Sequence, residues 1–470
     1  MGDPGAVFKA YDIRGIVPDE LDPELCRAIG IAVARFLRPE RLLVVRDMRP
    51  SGVPLCEAFA DGARSEGTTV VDLGMASTDF LYFASGRLDA PGAMFTASHN
   101  PAAYNGIKLC RSGAQPIGRD TGLLEIQQLT TEILGAPPSP RSTPPAPLEH
   151  LDLLSDFARH VRSFVDLESL RPLRVVADTA NGMGGLVLPI VMEPLPFELT
   201  ILFPELDGTF PNHPADPIQP ENLRDLQESV LREGADVGLA FDGDADRVFL
   251  VDEHAQPVSG SLTTALVAVA MLEKYPGSTI LYNLVCSHVV PEVIAEHGGR
   301  GIRTRVGHSF IKATMAETGA VFGGEHSGHY YYRDNYRADS GIITAMVVLE
   351  LMSRSGKPLS ELLAPFRRYA NSGEINVTVA DPHAVVESLA QHVAAEGAAV
   401  DRLDGLTAEY PDWWFNVRPS NTEPLLRLNV EASSVQDCDR HLGALIELLT
   451  SRFGALGPDA AAEGSRGLAR

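Results

Sequence analysis

Through the first third of the chain, short apolar runs alternate with stretches whose apolar residues fall at helical spacing. Leu42 to Val45 reads as a strand that stops at Arg46-Asp47, Val53 to Glu66 as a helix, and Val70 to Leu73 as the next strand, which together make a βαβ unit. Ahead of it, Asp22-Pro23 supplies a cap and a first-turn proline, and Leu25, Ile29, Val33 and Phe36 recur along one helix face. A β-rich run closing on an acidic or polar loop then returns. Leu173 to Ala177 ends at Asp178, Val237 to Phe241 ends at Asp242, and Thr279 to Val285 and Arg303 to Val306 repeat the theme. Ligands of such sheets sit beyond the carboxyl ends of the strands, so the pattern predicts successive α/β units facing their loops into a shared cleft.

The punctuation of the pattern sets the expected boundaries. Ala136 to Pro147 holds six prolines and reads as a linker, with further boundaries near Val251 to Ser259 and Tyr369 to Gly373. Alternation in Glu374 to Val379 and Leu425 to Val430, around one long helical stretch, marks a smaller α+β unit at the end. The expected units are therefore residues 1–147, 148–252, 253–370 and 371–456, followed by a disordered tail at 457–470 rich in Ala, Gly and charge.

Length and charge narrow the function classes. The 470 residues suit about three or more domains at roughly 150 residues each. Against 39 Lys+Arg stand 62 Asp+Glu, a net charge of -23, which disfavours nucleic acid or an anionic membrane as partner. Five scattered cysteines, Cys26, Cys56, Cys110, Cys286 and Cys438, form no Cys-x-x-Cys pair and read as free thiols of a reducing compartment. Asp3 and Lys9 stand where a secretory signal needs an apolar core, and the longest apolar run, Leu262 to Leu272, is too short to span a bilayer, so a cytoplasmic protein is expected.

Four constellations carry candidate chemistry. Thr96-Ala97-Ser98-His99-Asn100-Pro101 follows the apolar run Ala93 to Phe95; it is either an Asn-Pro turn or a tight loop that turns the Ser98 hydroxyl into a cleft, and it lacks the Gly-x-Ser-x-Gly elbow of a hydrolase triad. Asp242, Asp244 and Asp246 alternate in Asp-Gly-Asp-Ala-Asp-Arg247 after a buried strand. Three such carboxylates need a cation to stay ionised, and hard oxygens on a short loop suit Mg²⁺. Glu253 falls at the twelfth position of an EF-hand count, but Arg247 occupies the glycine position of that loop and the flanks read as strands. In Gly323-Gly324-Glu325-His326-Ser327-Gly328-His329 the glycines allow close approach of a ligand, while Glu325 and Ser327 could bond a pair of sugar hydroxyls; a polar capping loop is the other reading. Arg418-Pro419-Ser420-Asn421-Thr422-Glu423-Pro424, between two strands, offers a guanidinium, two hydroxyls, an amide and backbone N–H groups to a phosphate dianion, or is a plain polar loop.

In this order and spacing the four motifs resemble those of the α-D-phosphohexomutases, and Tyr11-Asp12-Ile13-Arg14-Gly15, Asn105-Gly106-Ile107-Lys108 and Val306-Gly307-His308 extend the match over nearly the whole chain. The resemblance implies a four-domain, heart-shaped enzyme, three related α/β domains and a smaller C-terminal α+β domain around a central cleft. It implies a phosphoserine at Ser98, Mg²⁺ held by Asp242, Asp244, Asp246 and a phosphoryl oxygen on Ser98, sugar contacts from Glu325 and Ser327, and a phosphate grip from Arg418, Ser420, Asn421 and Thr422. Lys108 and His329 match positions for acid–base work, and Arg14, Arg247 and His308 match cleft-lining residues. The implied reaction interconverts hexose 6- and 1-phosphates through a hexose 1,6-bisphosphate, by a monomer or homodimer; the forms of the phosphate and sugar loops resemble the mannose/glucose branch, and mannose phosphates are the expected substrate, with dual action on glucose phosphates open. A metal-dependent sugar phosphatase and a non-catalytic sugar-phosphate sensor are the alternatives from other classes. One departure stands out: Val285 occupies the place of a lysine common among relatives, which leaves Arg305 or Lys312 to replace its contact.

Overall fold

The structure is a computed structural model that describes residues 3–136, 144–420 and 425–455. Asn421, Thr422 and the tail expected from residue 457 lie outside the described residues, as does the middle of the proline-rich segment.

Four sheets follow one another along the chain. The first has seven strands, and its centre is the predicted βαβ unit, observed as strand Arg41–Arg46, helix Gly52–Ser65 and strand Thr69–Met75. Helix Pro23–Leu37 starts where Asp22 Oδ1 accepts the Leu25 amide at 2.8 Å. It lies so close to Gly52–Ser65 that a Cβ on Gly30 would stand 2.1 Å from the Phe59 carbonyl oxygen, and one on Gly62 2.1 Å from that of Arg27. Only glycine permits that approach.

One local arrangement recurs in the first three sheets. A strand parallel to its inner neighbour is followed by an antiparallel partner: Gly92–Phe95 by Tyr104–Arg111, Val237–Phe241 by Val248–Asp252, and Phe322–Gly324 by Tyr330–Tyr332. The connections between these partners are the Ser98, Asp242 and Glu325 segments, so three of the four motifs are equivalent turns. The fourth sheet is antiparallel throughout, and its hairpin from Trp413–Pro419 to Leu425–Ala432 carries Ser420.

Several edges differ from the sequence reading. The strand expected at Thr279 to Val285 ends at Asn283, and the one expected at Arg303 to Val306 runs Arg300–Thr304. The latter is a half-exposed edge strand opening on Arg-Gly, which hides it from a hydrophobic pattern. Leu148–His150, placed at the head of the second unit, pairs with Val70, Val71 and Asp72 of the first sheet, and Pro257–Val258, placed in the third, pairs with the second.

The largest apolar core runs from Leu43 to Phe366 through all three α/β sheets, whereas residues from Ala370 onward pack a core of their own. Helices Gly260–Lys274 and Gly341–Ser355 are buried on nearly all sides and lie inside that shared core. None of the helices among the described residues is long and apolar enough to cross a membrane. Gly30→Ala is expected to cost about 1–3 kcal/mol by forcing the two helices apart, read as a lower denaturant midpoint with unchanged slope.

Candidate active site

The Ser98 segment leaves the strand Gly92–Phe95 and turns sharply. Ser98 has φ +50, a left-handed conformation that a side chain disfavours. Its amide donates to Thr96 Oγ1 at 2.9 Å, and its carbonyl accepts from the buried Arg49 guanidinium at 2.9 Å. The hydroxyl points across to the second sheet, where it donates to Asp242 Oδ2 at 2.7 Å. His99 Nδ1 lies 3.3 Å from the same oxygen.

The Asp242 turn presses against this serine by its backbone. A Cβ on Gly243 would stand 2.6 Å from the Ser98 carbonyl oxygen, which explains the glycine between two aspartates. Asp242, Asp244 and Asp246 are all buried, and their carboxylate oxygens fall within 4.8 Å of one another. Lys108 Nζ, from strand Tyr104–Arg111, lies 2.8 Å from Asp244 Oδ2 and 2.7 Å from Asp246 Oδ2. Arg247 donates to Asp242 Oδ2 from Nε at 3.0 Å, and its second nitrogen reaches Ser98 Oγ at 3.4 Å. Thr78 Oγ1 donates to Asp244 Oδ2 at 2.5 Å.

Burial pushes the Asp242 carboxyl up to about 7, with Arg247 opposing and the other two aspartates reinforcing the shift. For Asp244 burial acts in the same sense, yet Lys108 outweighs it and holds the group well below the usual carboxylate range. Burial likewise opposes the charge on Lys108, but Asp244 and Asp246 raise its pKa well above the ordinary value. The donor set fits a divalent cation: Asp244 Oδ1 and Asp246 Oδ1 are buried and have no hydrogen-bond partner among the described residues, the situation of hard oxygens facing a metal. The EF-hand alternative has no support, since Glu253 accepts from Ser360.

The Glu325 turn is sewn to the Asp242 turn. Arg247 and His329 form a β-bridge, and the Val248 amide reaches the Gly328 carbonyl at 3.4 Å. Glu325 is held by Tyr331 Oη at 2.5 Å, Asn283 Nδ2 at 3.0 Å and the Gly307 amide at 3.3 Å. His329 Nδ1 sits 2.9 Å from Asp339 Oδ2 and 3.7 Å from Asp246 Oδ1. Burial works against a charge on His329, while Asp246 and Asp339 more than offset it and raise its pKa. Asp339 also pairs with Lys312 at 2.9 Å, whose ammonium lies 3.7 Å from the centre of the Tyr82 ring. His308, which opens helix His308–Thr318, is driven well below its ordinary pKa by burial and then by Lys312. Ser327 is half-buried in the turn. Val285 is buried; of the two cations proposed to replace the lysine there, Lys312 is committed to Asp339, and the exposed Arg305 stacks on Phe310 at 4.3 Å.

Arg14 approaches the Ser98 segment from the first strand, donating to Asn100 Oδ1 at 2.6 Å and pairing with Asp12. On the fourth sheet Arg418 pairs with Glu374 Oε2 at 2.8 Å, and Arg418 Nε is buried without a hydrogen-bond partner among the described residues. Ser420 stands beside it at the end of the hairpin strand. The Tyr11 ring lies 5.5 Å from that of His308.

Four consecutive family models match this chain. Phosphoglucomutase/phosphomannomutase alpha/beta/alpha domains I, II and III match residues 5–134, 155–256 and 259–369, and the C-terminal domain of the same family matches 374–446. The chain belongs to the phosphoglucomutase/phosphomannomutase family. This phosphohexomutase is 40% identical to a protein named phosphohexose mutases from Xanthomonas campestris pv. campestris and 39% identical to a phosphomannomutase of Escherichia coli K12, each over 90% of this chain and 94% of the relative. The crystal structure of a family protein from Burkholderia thailandensis superposes with a TM-score of 0.88 at 32% identity, covering 98% of this chain and all of the other.

Within the phosphohexomutase, sequence reasoning missed Thr78, Asp79 and Asp339, and it named Lys312 only as a stand-in for the lysine at Val285, not as the partner of Asp339. Thr78 and Asp79 open helix Thr78–Leu88; a Ser-Thr-Asp run before an apolar stretch is a readable cap, but its reach to Asp244 and Ser340 is tertiary. Lys312 falls four positions after His308 on one helix face, which the sequence does show, and Asp339 immediately precedes the cap Ser340 of the next buried helix.

Two outcomes follow from the charges. Mg²⁺ is expected to raise the melting temperature by binding only the folded carboxylate cluster, and Asp246→Asn to abolish most of that rise, as read by calorimetry over a Mg²⁺ series. Burial lifts the Asp79 carboxyl to about 7 despite hydroxyls of Ser340 and Ser77 bonded to it. Folded protein then keeps a proton that the unfolded chain releases near 3.8, so stability falls as pH rises from 3.8 to about 7. Asp79→Asn should flatten that part of the stability–pH curve.

Proposed function

We propose that the protein is a phosphomannomutase that interconverts mannose 6-phosphate and mannose 1-phosphate through a phosphorylated Ser98 and a mannose 1,6-bisphosphate. The observation that carries the reading is the Ser98 hydroxyl, 2.7 Å from Asp242 and 3.4 Å from Arg247, at the mouth of a three-carboxylate cluster. The relative of Escherichia coli K12 named phosphomannomutase, 39% identical over 90% of this chain, supports mannose as the sugar.

In the forward half-reaction the bond between phosphorus and Ser98 Oγ breaks as a bond to the free sugar hydroxyl oxygen forms, and the hydroxyl proton leaves to a base. The bisphosphate then turns over, and its other phosphoryl group returns to Ser98. Such transfers offer the protein little covalent work, so positioning and charge carry them. A Mg²⁺ ion held by Asp242, Asp244 and Asp246 would neutralise charge on the transferring group. Arg247 adds fixed positive charge beside Ser98 Oγ, and Arg14 adds a second cation on the same segment through Asn100. Lys108, which reaches two of the carboxylates, and His329, oriented through Nδ1 by Asp339, are the groups that move the proton. Glu325 and Ser327 receive the sugar hydroxyls, and Arg418 with Ser420, Asn421 and Thr422 grips whichever phosphate is not reacting.

The test supplies mannose 1-phosphate and glucose 1-phosphate separately with Mg²⁺ and a trace of hexose 1,6-bisphosphate, following 6-phosphate and free phosphate. Mannose 6-phosphate should form faster, with little free phosphate; comparable glucose turnover would make the enzyme dual, and dominant phosphate release would make it a phosphatase. Ser98→Ala should lose turnover, and His329→Asn should lower kcat by about 10²–10⁴-fold.

A further inference from the structure

Arg49 is a fully buried arginine outside every motif that the resemblance names. Its guanidinium has five N–H donors, and each finds an acceptor. Nε donates to Asp47 Oδ2 at 3.2 Å, one terminal nitrogen to the carbonyls of Pro101 and Tyr104 at 2.8 and 2.9 Å, and the other to those of Ser98 and Asn100 at 2.9 and 2.7 Å. Three of the five acceptors thus belong to the one turn that presents Ser98, and a fourth, Tyr104, opens the strand that follows it. The face of the guanidinium is covered by the Phe210 ring at 5.1 Å, and a Cβ on Gly208 would stand 2.5 Å from Arg49 Cα, so a loop of the second unit closes over it.

We infer that Arg49 is a positioning residue for phosphoryl transfer: together with Thr96 it fixes the two peptide units flanking Ser98 and so aims Ser98 Oγ at the carboxylate cluster. Thr96 Oγ1 takes the Ser98 amide, and Arg49 takes the Ser98 carbonyl, which holds a left-handed backbone that the residue would not keep alone. That same carbonyl is the surface on which Gly243 rests. Its placement therefore sets the gap between the serine and Asp242, across which the 2.7 Å contact is made. Arg49 reaches neither Ser98 Oγ nor the carboxylate cluster through any hydrogen bond of its own. A lysine would keep the charge opposite Asp47, but its three donors radiate from one atom and cannot satisfy four diverging carbonyls.

This inference rests on the mutase reading, and the experiment separates the two. Wild type, Arg49→Lys and Thr96→Val are compared with mannose 1-phosphate at saturating Mg²⁺, recording kcat, KM and free phosphate released per turnover. An ångström of misplacement costs about 10²-fold in rate, so Arg49→Lys should lose about that much kcat, with KM within about twofold and a larger share of phosphoserine lost to water. Arg49→Ala should regain kcat with added ethylguanidinium and not with ethylammonium. A KM effect alone, unchanged kcat in Arg49→Lys, or equal rescue by both cations overturns the proposal. If no Arg49 variant folds, Thr96→Val decides: a kcat-only loss supports the inference, and wild-type kcat overturns it. A wild type without mutase turnover overturns the mutase reading itself, and this inference with it.

Discussion

Three aspartates share one buried pocket, and their mutual repulsion is the condition that the surrounding structure has to meet. Two unit charges a few ångströms apart in a poorly screened interior repel by several kcal/mol at an effective dielectric of about 20. Compensation comes from outside the aspartates' own turn as well as within it: Arg247 on the same turn, but Lys108 and Thr78 from the first sheet and its helix. The cluster therefore cannot form until the first two units are docked. The third joins through the Arg247–His329 bridge and through Gly341, whose Cβ would stand 2.7 Å from the Arg247 carbonyl. A single apolar core through these three sheets is the packing counterpart of that electrostatic demand.

The equivalence of the turns gives the cleft its economy. A parallel strand followed by an antiparallel one leaves a short connection at the carboxyl end of the first, and three such connections meet. One carries the Ser98 hydroxyl, one the three aspartates and one the Glu325 carboxylate, each held by a sheet whose strands are buried. Precision of this kind follows from siting reactive groups on short turns between ordered strands.

Much of this was legible in the chain itself. Val237 to Phe241 is observed as the strand expected, because five buried residues in a row ending at Asp242 admit little else. The groups that the family resemblance names could be read because each lies in a local motif. What escaped are contacts made by residues with no motif around them. Arg49 looks like a surface arginine after Arg46-Asp47; its meaning lies in four carbonyls far along the chain, and carbonyls carry no sequence signal. Lys312 and Asp339 meet only because a helix and a loop cross in the third unit. The edge strand Arg300–Thr304 was misplaced because half-exposed edges need no hydrophobic run.

The fourth unit keeps its own apolar core and meets the others through a polar seam. Arg303 pairs with Asp401 and with Glu409 at 3.1 Å, the Val306 amide reaches Asp404 at 3.3 Å, and His288, whose amide donates to Glu431, lies flat on Trp414. Half-exposed ion pairs and single hydrogen bonds trade for water at little net cost. Such a joint can part while exposing little oil to solvent, and both sides stay folded as it does so. The hairpin that carries Arg418 and Ser420 is thereby tied to the rest of the chain by bonds that water can replace, whereas the carboxylate cluster is locked by pairs that are largely buried on both sides.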